Sequence, residues 1–255
     1  MLGAIVGDIV GSVYEFDNHR SKDFPLFRED SRFTDDTILT IATADALMHH
    51  EWDFAGKYRE YGKKYPSSYG NSFLSWIHDD NAGPYNSFGN GSAMRVSPVA
   101  WFEKHEHRVM ELAKRSAEVT HNHPEGIKGA QATAMAILWA RTGVPRHRIR
   151  RDIEQQFDYD LSASVDELRE TYQYNETCQA TVPEAIVCFL EATDFEDAIR
   201  NAISIGGDSD TLAAITGSIA EGKWGVPEEI WNQSKRKLDE KLRIALELFQ
   251  KFVEV

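Results

Sequence analysis

Three glycines spaced four apart, Gly3, Gly7 and Gly11, run through an otherwise β-branched opening, Gly3-Ala4-Ile5-Val6-Gly7-Asp8-Ile9-Val10-Gly11-Ser12-Val13-Tyr14-Glu15-Phe16. Propensity alone reads such a stretch as a strand. On a helix, however, the glycines line one side with bare backbone, along which a neighbouring helix can approach closely. The spacing therefore predicts a helix over 3–16, with Asp8 and Glu15, seven apart, sharing one face.

The rest of the chain supplies helical partners. Thr37 to about His50 is apolar and alanine-rich, as in a largely buried helix. Residues 56–90 read as short helical pieces joined by loops. Helical patterns return over 107–119, 126–141, 182–192, 195–204, 208–222 and from Pro227 to the C-terminus, and Pro145 opens an amphipathic segment with Ile149, Ile153 and Phe157 four apart. With no Pro/Ser-rich linker and no change of composition, the 255 residues read as one all-α domain, 1–255.

The balance of 28 basic to 41 acidic residues gives a net charge of -13, which disfavours partnership with a nucleic-acid backbone or an anionic membrane surface. Cys178 and Cys188 lie in a segment without CxxC or catalytic context and read as buried thiols. Asp8 interrupts the first apolar run, no basic region precedes it, and no stretch approaches the ~20 apolar residues that span a bilayer. The expectation is a cytoplasmic protein.

Two motifs carry the chemistry: Phe33-Thr34-Asp35-Asp36-Thr37 and Gly206-Gly207-Asp208-Ser209-Asp210-Thr211. Both read as helix starts, and Thr34-Asp35-Asp36-Thr37-Ile38 aligns on Asp208-Ser209-Asp210-Thr211-Leu212, which suggests two similar helix starts facing one centre. Four carboxylates in one pocket would resist ionisation unless cations sat between them. Oxygen ligands without His or Cys favour magnesium, manganese or calcium over zinc or copper, and four negative charges match two divalent ions. Taken alone, Thr34-Asp35-Asp36-Thr37 is also an ordinary N-cap with an acidic first turn.

These motifs, together with Gly7-Asp8-Ile9-Val10-Gly11-Ser12-Val13-Tyr14-Glu15, Gly89-Asn90-Gly91-Ser92-Ala93-Met94-Arg95 and Thr120-His121, resemble the ADP-ribosylglycohydrolase family nearly end to end. The resemblance implies a compact orthogonal multi-helix domain that hydrolyses the bond at C1 of the distal ribose of ADP-ribose, freeing an arginine, a serine or a small conjugate. It implies that Thr34, Asp35, Asp36, Asp208, Asp210 and Thr211 hold two Mg²⁺ or Mn²⁺ ions. Glu15, Asp36 and Asp210 would then act in catalysis, Glu15 as acid, base or switchable ligand. Ser87, Phe88, Gly89, Asn90, Gly91, Ser92 and His121 would contact the ADP-ribose. Asp8 reads as an orienting partner or a cap of a neighbouring helix, and Arg95 as an internal salt bridge in preference to a phosphate contact. Tyr85, Phe88 and Trp224 are the candidates for adenine, and Glu221 departs from the small residue usual after the second motif. Two alternatives are a binuclear phosphoester or pyrophosphate hydrolase and a non-catalytic ADP-ribose-binding protein.

Overall fold

The computed structural model describes residues 1–49 and 51–254; His50, the expected end of the second helix, and Val255 lie outside the described residues. Its α-helices in chain order are α1 (Leu2–Gly11), α2 (Asp35–Leu47), α3 (Phe54–Lys64), α4 (Asn71–His78), α5 (Gly91–Met94), α6 (Ser97–Phe102), α7 (Glu106–Glu118), α8 (Pro124–Arg141), α9 (Arg146–Phe157), α10 (Val165–Thr171), α11 (Val182–Glu191), α12 (Phe195–Ser204), α13 (Ser209–Trp224), α14 (Glu228–Lys237) and α15 (Glu240–Val253). Among the described residues an isolated bridge between Gly89 and Thr177 stands where a sheet would, so the fold is all-α. Among the described residues no helix is long and apolar enough to cross a membrane.

The glycine spacing does what its geometry suggests. The bare side of α1 lies against α13, a helix buried from Ser209 to Glu221. A Cβ on Gly3 would fall 2.0 Å from the carbonyl oxygen of Gly217, one on Gly7 2.0 Å from that of Ala213, and one on Gly11 2.5 Å from the Cα of Asp210. The two backbones are therefore in contact along about two and a half turns, and the contact sets Asp8 beside the start of α13. Gly7→Ala places a methyl against backbone that cannot yield, and should cost about 3 kcal/mol of stability. A urea midpoint within error of the wild type would refute this packing.

Helix α1 stops at Gly11, shorter than the glycine pattern predicts. The side-chain amide of Asn18 donates to the carbonyls of Tyr14 (3.0 Å) and Glu15 (2.8 Å), diverting groups that a continued helix would use. Asp8 and Glu15 consequently share no helix face; Glu15 sits in the following turn. The expected C-terminal helix is likewise two, because Asp239 caps a fresh start by accepting from the backbone N–H of Lys241 at 2.8 Å. Helices α6 and α10 went unforeseen, whereas 195–204 matches α12 residue for residue.

The buried apolar residues form one cluster running from Met1 to Phe249 and drawing on nearly every helix. Cys178 and Cys188 are both buried in it as free thiols. Glu221, the unexpected acid on α13, accepts from the backbone N–H of Gly3 at 2.8 Å and pairs with the amino group of Met1, so it fastens the start of α1.

Candidate active site

Asp8 is the first piece of the site. It is fully buried, and its carboxylate takes the Thr34 hydroxyl on Oδ1 (2.7 Å) and the backbone N–H groups of Thr34 (2.9 Å) and Thr37 (3.1 Å) on Oδ2. A carboxylate on α1 thus caps α2 from outside, satisfying an N–H that the helix start leaves open. Asp8→Ala would strip three hydrogen bonds to a charged acceptor and should lower stability by about 3 kcal/mol. A loss under about 1 kcal/mol in chemical denaturation would remove Asp8 from this role.

The two acidic motifs meet as equivalent helix starts. Thr34 is the N-cap of α2 and Asp208 that of α13, so Asp36 and Asp210 occupy matching positions in their first turns. Thr211 on α13 donates to Asp36 Oδ2 on α2 at 3.3 Å. Asp8, Asp36 and Asp210 each bring an oxygen within 4.8 Å of the others, and so do Glu15, Asp208 and Asp210. Two three-carboxylate clusters therefore share Asp210. Asp36 Oδ1 is buried and has no hydrogen-bond partner among the described residues. Asp208 Oδ2 accepts from the Asn90 amide at 2.7 Å, and Asp35 Oδ1 from the Ser67 hydroxyl at 3.3 Å.

Electrostatics make this crowd costly. Burial first, then the charges of Asp8, Asp35 and Asp208, holds Asp36 well above the usual carboxylate range. Burial and the charges of Asp208, Asp36 and Glu15 do the same to Asp210. Burial raises Asp8 and Asp208 too, against the hydrogen bonds each accepts. Glu15 is pushed up to about 7 by burial and by Asp208, Asp35 and Glu176, and Asp35 to about 6, chiefly by burial. An all-oxygen donor set with surplus negative charge and an orphaned buried oxygen suits a hard divalent cation.

A cavity of about 360 Å³ opens onto the carboxylates. Asp35, Asp36, Asp208, Asp210, Thr211 and Glu15 line it, as do Ser87, Gly89, Asn90, Gly91 and His121, so most of the expected residues converge. Three do not reach it. Thr34 is buried; its hydroxyl gives its proton to Asp8 Oδ1 and accepts from the Asp36 N–H at 3.3 Å. Ser92 is buried and donates to the Gly126 carbonyl at 2.7 Å, tying α5 to α8. Phe88 is exposed and packs on His123. Of the aromatic candidates Tyr85 lines the cavity, while Trp224 packs on Phe189 at the far end of α13.

Arg95 corrects an expectation. It is fully buried, yet no carboxylate among the described residues pairs with it. Its Nη2 donates to the Ser116 carbonyl (3.0 Å) and the Thr120 hydroxyl (2.8 Å), and its guanidinium lies 4.0 Å from the centre of the Tyr58 ring. Tyr174 and Glu176 also line the cavity, from a loop within residues 171–180 in which no single residue stands out in the sequence. Their loop is held there by the Asn90 N–H, which donates to the Glu176 carbonyl at 2.7 Å, and the Tyr174 hydroxyl donates to the Glu176 carboxylate at 2.8 Å. Neither residue belongs to a periodic pattern that a sequence could betray.

With this geometry in place, the likeness to known proteins is informative. The family model for ADP-ribosylglycohydrolase matches residues 1–254. The chain is 25% identical to mouse (Mus musculus) ADP-ribosylhydrolase ARH3, over 100% of this chain and 91% of that one. It is 26% identical to an ADP-ribosylarginine hydrolase of Pseudomonas putida, over 95% and 76% respectively. A solved structure described as an ADP-ribosylglycohydrolase-related protein complex superposes with a TM-score of 0.70 at 24% identity, covering 98% of this chain and 96% of that one, and so has the same fold. The protein belongs to the ADP-ribosylglycohydrolase family.

Proposed function

We propose that this chain is a single catalytic domain that removes ADP-ribose from a modified acceptor by hydrolysing the bond at C1 of the distal ribose, with two divalent cations, Mg²⁺ or Mn²⁺, held by Thr34, Asp35, Asp36, Asp208, Asp210 and Thr211. The observation that carries this reading is the pair of carboxylate clusters sharing Asp210 at the floor of a polar cavity. One continuous core supports treating residues 1–255 as one domain. Bound there, a cation pair would orient the ribose hydroxyls, acidify a water and offset charge as the C1 bond breaks.

The protein's own groups divide the remaining work. Asp8 holds the start of α2 so that Asp35 and Asp36 face the cavity, and Asn90 holds Asp208. Glu15 is placed to accept the proton of the attacking water as oxygen adds to C1, and to return it to the departing nitrogen or oxygen of the acceptor. Ser87, Gly89, Asn90, Gly91 and His121 form the wall that receives the rest of the ADP-ribose, with Tyr85 or Tyr174 as the aromatic surface for the base.

Arginine-linked, serine-linked and acetyl-linked ADP-ribose substrates, each incubated with Mg²⁺ or Mn²⁺, test this directly. At least one should release intact ADP-ribose, and chelator should stop it. Release of AMP or free phosphate would favour a phosphoester hydrolase instead, and inertness toward all three linkages would contradict the reading. Glu15→Gln should lower kcat about 10²- to 10⁴-fold while the shift in Tm caused by the metal persists.

A further inference from the structure

We propose that Arg95 and Thr120 are positioning residues that fix His121 as a neutral imidazole protonated on Nε2, presenting one N–H donor to an oxygen of the ligand. The inference rests on the ADP-ribose reading of the cavity for its ligand, but not for its tautomer.

The argument is a count of protons. Arginine can only donate, so the contact from Arg95 Nη2 makes the Thr120 oxygen an acceptor. The other polar neighbours of that hydroxyl among the described residues are His121 Nδ1, at 2.7 Å, and the Tyr85 hydroxyl, which brings a proton of its own and can fill the second lone pair of the Thr120 oxygen. Thr120 therefore has its own proton left to give, and Nδ1 is the atom placed to take it. An Nδ1 that accepts carries no hydrogen, and a neutral ring must then hold its proton on Nε2.

The surroundings favour the neutral ring. His121 is buried, no carboxylate pairs with it, and its near charged neighbour is the Arg95 guanidinium; burial and that charge both push its pKa well below the ordinary value. On the opposite edge Nε2 makes no hydrogen bond to the described residues. It faces Gly91 and Gly89, where a Cβ would stand 3.2 Å and 3.6 Å from it, so the absence of side chains on the loop leaves this edge clear. His121 and both glycines line the cavity. Arg95 is itself fixed by the Ser116 carbonyl and the face of Tyr58, which makes the relay rigid from its buried end.

Long-range ¹⁵N–¹H correlation spectra of the full-length protein with Mg²⁺ present read the tautomer, with His121→Asn used to assign the ring. The expected result at pH 7 is a neutral ring protonated on Nε2, whose Nε2 signal moves on adding ADP-ribose. A parallel titration with ADP, which lacks the distal ribose, locates the partner: movement with both ligands assigns it to the ADP portion, and movement with ADP-ribose alone to the distal ribose. Thr120→Val should mix or invert the tautomer and weaken ADP-ribose binding tenfold or more. Thr120→Ser, which keeps the hydroxyl, should restore both to within twofold. A proton on Nδ1 in the wild type, or an unchanged tautomer in a folded Thr120→Val protein, would overturn the proposal. If the tautomer is as stated but neither ADP-ribose nor ADP binds, the ligand assignment and the functional reading fail while the relay stands.

Discussion

Asp36→Asn should lower ADP-ribose hydrolysis by at least about 10³-fold, about 4 kcal/mol of transition-state stabilisation, without loss of the fold. Asparagine keeps the size of the side chain and can still meet Thr211, so packing at the start of α2 is preserved. What it removes is one negative charge from a buried set whose members repel one another. The metal-free variant should therefore melt no lower than metal-free wild type, while its stabilisation by Mg²⁺ or Mn²⁺ largely disappears. That combination, lost activity with retained or raised apo stability, separates a metal-holding carboxylate from a structural one. Full turnover by the variant would remove Asp36 from the chemistry.

The second large effect is the response of stability to metal and to pH. At a cation concentration about a hundredfold above Kd, each site adds about 2.7 kcal/mol. For a domain of this size each kcal/mol is worth about 2–4 °C in Tm, so a single site raises it by about 5–10 °C. The metal-free protein should show the reverse of ordinary acid destabilisation over part of the range. Glu15 at about 7 and Asp35 at about 6 are both raised above their unfolded values, so the folded state binds more protons than the unfolded one. Their contribution is complete below the unfolded carboxylate range, about pH 4, and is lost as pH rises through 6 to 7. In chelator, Tm should accordingly be higher near pH 5 than near pH 7.5. With saturating metal the difference should shrink or invert, because protons then compete with the cations. A metal-free Tm that falls from pH 7.5 to 5 would show that the clustered carboxylates do not repel as their burial requires.

Local spacing made part of this architecture legible and left part of it invisible. Gly3, Gly7 and Gly11 announced a helix against their own β-branched neighbours because period and bare backbone are local properties, and α13 supplied the partner. The likeness of the two acidic motifs also carried through, since an N-cap with first-turn carboxylates is written in five consecutive residues. The end of α1 was not legible, because it depends on Asn18, which also binds the N–H and carbonyl of Gly207 at 2.7 and 3.0 Å. Asp239 followed by Glu240 was a readable start for α15, hidden by the continuity of charged residues on either side.

Among site residues the same division holds. The capping of α2 by Asp8 and the place of Arg95 are long-range facts, fixed by which helices lie together, and residue type alone left each with two roles. Thr34 adds a contact that its motif alone does not show, the donation of its hydroxyl proton to Asp8. Tyr174 and Glu176 reach the cavity through one backbone hydrogen bond to Asn90, for which the sequence carries no pattern.

The measurement closest to the centre of this account is an anomalous-scattering map from crystals grown with Mn²⁺ and ADP-ribose. Two manganese peaks among Asp35, Asp36, Asp208 and Asp210, with the distal ribose against them, are the expected result. Manganese found elsewhere on the surface, with these carboxylates free of metal and the sugar held away from them, would contradict it.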